Sequence, residues 1–364
     1  MKKPIFIPIM LLMLTCNSLA DEFSDFLREN QEGVKKQQES FDAYKEAYVA
    51  EYQQYKDRIN KEWDESRISS PKKWVTYSDD LKTRTTVNYE NNTVEVAIRT
   101  DANPTAKLIE EQIEKTLNTS AQTAVQKDPI INTIEKKAPA SLEGLLMSGL
   151  KAAKSVVKKV MSTARMYIDQ DSHGEYAVTT VKMPNGSESA RARQLFPYVK
   201  KYSKKYNISS PLIFAIIKTE SAFNPLAQSH IPAFGLMQIV PGSAGKDVQR
   251  IVYKKDRRPT SKMLFNPEIN IEHGVAYLHI LQTRYLKGIV DKQTLEYCSI
   301  AAYNTGAGNV ARAFNNTTNI KKAINKINTM SSAEVYMVLR KNLKYEEARN
   351  YLLKVRKNKE KFSA

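Results

Sequence analysis

Ser209-Ser210-Pro211-Leu212-Ile213-Phe214-Ala215-Ile216-Ile217-Lys218-Thr219-Glu220-Ser221 is the stretch on which the fold and chemistry of this 364-residue chain turn. The two serines offer an N-cap and Pro211 suits the first helical position, so the spacing predicts a helix that Asn224-Pro225 then stops. At helical spacing Ile213, Ile216, Ile217 and Glu220 share one face. Glu220 is thus a carboxyl in an apolar stripe and in a last helical turn, where the dipole is negative; both disfavour its ionisation. A carboxyl kept protonated near neutral pH is a candidate general acid. The competing reading is a buried carboxylate neutralised by a lysine or arginine, because structural ion pairs also perturb pKa.

Further pieces follow in order: Glu220-Ser221-x-Phe223-Asn224-Pro225, Ala233-x-Gly235-Leu236-Met237-Gln238-Ile239, Asn266-Pro267 with Asn270-Ile271-x-x-Gly274-x-x-Tyr277-Leu278, Ala302-Tyr303-Asn304-x-Gly306-x-Gly308, and Glu347-x-x-x-Tyr351. Each is weak alone; in this order they resemble the lytic transglycosylase family, lysozyme-like enzymes that cleave the glycan strands of bacterial peptidoglycan. The resemblance runs from residue 190 to the C-terminus and implies a mainly α-helical, lysozyme-like catalytic domain over residues 189–364. It implies that Glu220 protonates the glycosidic oxygen between N-acetylmuramic acid and N-acetylglucosamine while the acetamido group of the substrate stabilises the cationic centre. The carboxylate then takes the proton of the C6 hydroxyl, closing a 1,6-anhydro ring without water. Two carboxyl groups, as a hydrolase uses, are not needed.

The same resemblance implies supporting roles. Tyr303 places its hydroxyl near Glu220; Gln238 and Asn304 hydrogen-bond the sugar, Met237 lines the cleft, Ser221 supports the glutamate, and Glu347 with Tyr351, four apart on a helix, line the same groove. For Tyr303 a packed core tyrosine is the equal alternative. Ser221 has no histidine in a triad context and is not read as a nucleophile. No cofactor and no metal site is expected: His173 stands alone, and His273 and His279 lack the spacing and companions of a zinc site. One departure from the family pattern is Pro232, which fixes φ in the loop Ser229-His230-Ile231-Pro232-Ala233-Phe234-Gly235.

Lys2 and Lys3, an apolar run from Ile5 to Leu14, and Ser18-Leu19-Ala20 have the layout of a secretory signal over residues 1–20, with an apolar run too short to span a membrane. Cys16 offers the alternative of a lipid anchor, which would associate the protein with the outer membrane; either way an exported, periplasmic protein is expected. After cleavage behind Ala20 only Cys298 remains, a core thiol by its neighbours, and no internal disulfide can form. A net charge of +17 and a pI near 9.5 call for an anionic partner. Export argues against nucleic acid, which would need an uncleaved signal and a cytoplasmic chain, and points to peptidoglycan strands, with their lactyl and peptide carboxylates.

Residues 21–188 read as a separate α+β accessory domain. Phe41, Tyr44, Tyr48, Tyr52, Tyr55, Ile59 and Trp63 recur in steps of three and four, a long amphipathic helix that packs on its own domain or binds a partner or a second copy. Alternation predicts strands over 73–77, 83–89, 93–98 and 175–182. Helices are predicted from Pro104 to Thr119 and from Leu142 to Met166. Trp74-Val75-x-Tyr77 with Thr83-Arg84 and the strand pair resembles the accessory domain of the membrane-bound lytic murein transglycosylase C subfamily. Two alternatives stay open: a muramidase that uses water, with Asp247, Asp256 or Glu268 as second carboxylate, and a non-catalytic wall-binding or scaffold protein.

Overall fold

The computed structural model describes residues 39–135, 148–149 and 151–363; the signal with Cys16, residues 21–38, and 142–147 of the expected 142–166 helix lie outside them. Residues 48–363 belong to one compact unit. Helix α1 covers 39–59. From Tyr48 on, its apolar stripe is consumed inside the chain: Tyr48, Tyr55, Ile59 and, past the helix end, Trp63 are buried. That removes this part of the stripe as a surface for a partner or a second copy.

Five strands follow, interleaved with short helices: β1 (Lys73–Tyr77), β2 (Thr83–Asn88), β3 (Thr93–Arg99), α2 (Ala106–Asn118), α3 (Ala121–Gln126), α4 (Pro129–Ile134), α5 (Lys154–Met161), β4 (Arg165–Asp171) and β5 (Gly174–Lys182). They make one antiparallel sheet in the order β1-β2-β3-β5-β4. Strand alternation sends Val87, Val94, Val96, Ile98 and Val181 to one face, where they are buried and α2 and α5 pack on β3 and β5. On the other face Trp63 anchors a polar cluster. Its indole donates to the Leu81 carbonyl at 2.7 Å, and the guanidinium groups of Arg84 and Arg99 stack on its ring at 4.5 and 4.3 Å. Arg99 also grips Asp171 with two bonds of 2.8 Å.

The expected helix over 142–166 is corrected: among its described residues Lys154–Met161 alone is helical, and Arg165 and Met166 begin β4. The reason is legible in the burial. All of β4 except its last residue is exposed, so no one-sided burial imposes an alternating pattern, and its hydrogen bonds come from β5.

The remainder is helical: α6 (Ser187–Tyr206), α7 (Ser210–Ser221), α8 (Lys246–Ile251), α9 (Ser261–Leu264), α10 (Pro267–Ile280), α11 (Lys292–Thr305), α12 (Ala307–Asn315), α13 (Ile320–Ile327), α14 (Ser332–Asn342) and α15 (Glu346–Ser363). Helix α7 is the buried centre, with Ile213, Ala215, Ile216 and Ile217 fully enclosed. Helix α15 lies along it: Phe362 meets Phe214 and Phe223, and the Asn358 amide donates to Thr219 at 3.0 Å. Several bonds tie the sheet region to the helices. Asn224 Nδ2 donates to the Pro71 carbonyl at 3.1 Å, Gln228 Nε2 to Asp128 at 3.0 Å, and the Tyr48 hydroxyl to the Ser229 carbonyl at 3.0 Å.

Candidate active site

Helix α7 starts as its sequence dictates, with Ser209 at the N-cap and Pro211 in the first turn, although the Ser209 side chain makes no capping bond. It ends when Ala222 and Phe223 both turn left-handed (φ 51° and 65°), after which the Asn224 side chain accepts from Leu226 N at 3.0 Å. Glu220 therefore sits one residue before the end of a helix whose buried positions, Ser221 apart, are all apolar. The Tyr351 hydroxyl on α15 donates to Glu220 Oε1 at 2.7 Å. Tyr351 is 6% exposed, while Glu220 keeps part of its surface open.

Burial is the largest influence on Glu220 and pushes its pKa up; the Tyr351 hydrogen bond opposes this, the like charge of Glu347 adds to it, and Lys72 opposes it, leaving the value at about 7. An acid poised there can give up a proton and take one back at neutral pH. Lys72 comes from outside the helical region, yet its position is held from both sides. Its neighbour Pro71 is hydrogen-bonded to Asn224, its own carbonyl accepts from Tyr89 N at 3.0 Å, and its ammonium pairs with Glu90 at 2.5 Å.

The other expected residues fall into four groups. Tyr303 does not bond to Glu220. Its hydroxyl donates to the Met237 carbonyl at 2.8 Å, and burial followed by the charge of Glu220 holds its pKa well above the usual tyrosine value, so it stays a neutral donor. The tyrosine that touches the carboxyl is Tyr351. Met237 and Ser221 do not face a cleft: the Met237 side chain is enclosed against Gly274, and the Ser221 hydroxyl is buried on the Ile217 carbonyl at 3.0 Å. Gln238 and Asn304 are partly accessible. Gln238 Nε2 is spent on the Ala227 and Gly235 carbonyls at 3.1 and 2.9 Å, which leaves its oxygen to accept, whereas Asn304 keeps a whole amide for a ligand. Glu347 is exposed near Glu220, one turn before Tyr351 on α15.

Asn270 is the organising residue the motif reading quoted without a role. Fully buried, it accepts from Met237 N at 2.8 Å and donates to the Phe234 and Leu264 carbonyls at 2.8 and 2.7 Å, so one side chain closes the 234–237 turn. Gly235 is required beneath it. Its φ is +73°, and a Cβ there would lie 2.2 Å from the Leu264 carbonyl oxygen and 2.3 Å from Asn270 Nδ2. Pro232 is buried in the loop before this turn, which Ser229 N closes on the Ala233 carbonyl at 3.2 Å.

Elsewhere, His173 is not alone: it lies with Asp64 and Asp171, its Nδ1 3.1 Å from Asp64. Both Asp171 oxygens already accept from Arg99, so the cluster carries its own cation. His273 is buried between Gln249 and the Ile269 carbonyl, and Cys298 is a buried thiol with its pKa pushed up to about 12.

Residues 197–326 match the transglycosylase SLT domain, and residues 34–129 match the N-terminal domain of membrane-bound lytic murein transglycosylase C. Proteins described as membrane-bound lytic murein transglycosylase C are 32% identical in Haemophilus influenzae, over 88% of this chain and 92% of the relative, and 34% identical in Salmonella typhimurium, over 86% and 91%. Among solved structures, the 70 kDa soluble lytic transglycosylase of Escherichia coli is 25% identical over 45% of this chain and 23% of its own, with a TM-score of 0.34.

Proposed function

The chain belongs to the lytic transglycosylase family and acts on peptidoglycan, and from that premise we propose that Glu220 performs both proton transfers of a water-free cleavage. It gives its proton to the glycosidic oxygen between N-acetylmuramic acid and N-acetylglucosamine. As carboxylate it then takes the proton of the C6 hydroxyl, which attacks the anomeric carbon and leaves a 1,6-anhydro end. The observation that carries this is the half-buried Glu220 carboxyl, its pKa raised to about 7, under the Tyr351 hydroxyl. A group at that pKa loses little in either direction, and an intramolecular hydroxyl already has a high effective concentration.

In this reading residues 21–188 form the accessory domain and 189–364 the catalytic one, with Asn304, the Gln238 oxygen and Glu347 facing the sugar. Met237, Ser221 and Tyr303 act through packing and the 234–237 turn. The relatives are named membrane-bound; we assign this protein likewise to the periplasmic side of a membrane, with Cys16 as the anchor if it is lipidated. No helix among the described residues is long and apolar enough to cross a membrane.

Of the three carboxylates expected for a hydrolase, Asp247 is taken by Tyr285 and Arg250, Glu268 by Lys201 and Tyr202, and Asp256 is exposed and not among the charges that act on Glu220. The carboxylate whose charge reaches Glu220 is Glu347, so the hydrolytic alternative rests on it. Mass spectrometry of the fragments released from purified peptidoglycan decides. Products one water lighter than reducing-end fragments, lost in Glu220→Gln and kept in Glu347→Gln, are expected. Reducing-end products lost in both variants would make the enzyme a hydrolase. Binding to the wall without soluble products from the unaltered chain would leave a scaffold.

A further inference from the structure

Strand β4 is the outermost strand of the sheet, and its middle is apolar and open: Met166, Tyr167 and Ile168 are 60%, 53% and 60% exposed. An edge strand offers a row of backbone donors and acceptors, and proteins ordinarily protect such an edge with proline, a bulge, a charge turned inward or a covering element. Here Arg165-Met166-Tyr167-Ile168-Asp169 has no proline, pairs with β5 without a break in register, and carries its charges at the two ends.

The order of those residues is self-complementary. Turned antiparallel on itself about Tyr167, the strand sets Arg165 opposite Asp169, Met166 opposite Ile168 and Tyr167 opposite Tyr167. Alternation puts Arg165, Tyr167 and Asp169 on one face and Met166 with Ile168 on the other. Each face of the joined pair would then hold matched neighbours: two ion pairs flanking a tyrosine pair, and two apolar pairs behind them. A two-fold axis through Tyr167 satisfies the isologous rule that one patch meets itself. We propose that β4 is a homodimerisation edge, joining two chains through antiparallel β4–β4 pairing into a ten-stranded sheet.

A flat lipid surface fits the strand less well. Met166 and Ile168 point to the opposite face from Tyr167, so only an occupant that meets the strand edge-on engages all three. Asp169 accepts from the Tyr176 hydroxyl through Oδ2 at 3.1 Å and from Gln170 N through Oδ1 at 2.9 Å, and it remains exposed; each carboxylate oxygen can accept a second bond, so an arginine can still pair with it. The location also suits the activity. Strand β1, whose preceding residues Pro71 and Lys72 reach Asn224 and the field of Glu220, lies at the opposite edge of the sheet. Pairing through β4 leaves that side unobstructed. Two short strands bury less area than a standard permanent interface, so the association is expected in the micromolar range or weaker.

The test uses the full chain in non-ionic detergent. Across an antiparallel pair, facing Cα atoms are about 4.5–5.5 Å apart, within disulfide reach. Tyr167→Cys is therefore expected to form a disulfide-linked dimer on mild oxidation, whereas Gln170→Cys, displaced from its own copy along the strands, and the unaltered chain do not. Arg165→Asp and Asp169→Arg should each abolish self-association in sedimentation velocity, and an equimolar mixture of the two should restore it as a heterodimer. Unchanged melting temperature and wall cleavage in the separate variants would show that the fold persists. An unaltered chain that stays monomeric at high concentration overturns the proposal, as does equal crosslinking at 167 and 170. So does a chain that remains monomeric while binding anionic phospholipid vesicles through Met166 and Ile168.

Discussion

Replacing Tyr351 by Phe removes one oxygen and little else, because the ring stays packed between α7 and α15 while Glu220 Oε1 loses the hydroxyl that donates at 2.7 Å. A hydrogen bond to a charged group contributes about 1.5–3 kcal/mol net, against about 0.5–1.5 kcal/mol for a neutral pair. The carboxylate therefore loses about 1–1.5 kcal/mol more than the acid does, which is about one pKa unit at 1.36 kcal/mol per unit. Since this bond opposes the upward push of burial, the sign is upward, and Glu220 should titrate about one unit higher in Tyr351→Phe. Two measurements report it: carbon-13 titration of selectively labelled glutamate carboxyls, and the pH dependence of kcat/KM on peptidoglycan, whose alkaline limb follows loss of the acid. Both should move up together. A limb that stays in place or moves down would show that the Tyr351 hydroxyl does not hold the carboxylate, and would remove it from the account of Glu220.

Lys72→Met should also raise the Glu220 pKa, since the ammonium favours the carboxylate, but by less than Tyr351→Phe because Lys72 is shared with Glu90; a downward shift in the same titration would exclude that charge effect. Glu220→Gln should unfold at a higher temperature than the unaltered chain at pH 8 and at an equal one at pH 4. With the folded pKa raised from 4.5 to about 7, the stability tied to the neutral carboxyl is complete below 4.5 and lost as pH rises through about 7, a difference bounded at roughly 3 kcal/mol and read by calorimetry. Asn270→Ala leaves the Met237 amide and two carbonyls without partners and should cost about 2–4 kcal/mol in a denaturant titration. Tyr303→Phe should cost about 1 kcal/mol by freeing the Met237 carbonyl while leaving the alkaline limb of the pH profile unmoved; a shift as large as that of Tyr351→Phe would put its hydroxyl on the carboxyl after all.

Helix α7 was legible because everything that makes it is local: a serine at the N-cap position, a proline in the first turn, isoleucines at helical spacing and an Asn-Pro stop. The meander β1-β2-β3 was legible for the same reason, since turn residues and alternation sit within a few positions of one another. β4 was missed because an exposed edge strand owes its conformation to the strand beside it. The role of Asn270 was hidden too, because its three partners lie at residues 234, 237 and 264 and nothing in its own neighbourhood announces them.

The sequence by itself determined which group is the candidate acid and why its proton is held: a carboxyl in an apolar helical stripe is disfavoured as an anion wherever the helix packs, since desolvation needs only burial. Only the tertiary structure decided what tunes it. Tyr303 and Tyr351 are both tyrosines on helices far from Glu220 in the chain, and pattern cannot rank them. Packing α15 along α7 brings the Tyr351 hydroxyl to the carboxyl and sends Tyr303 to a backbone carbonyl, while the sheet region supplies Lys72 through a loop held by Asn224. Hydrogen bonds and charges act over a few ångströms, and which groups come that close is set by how distant elements pack.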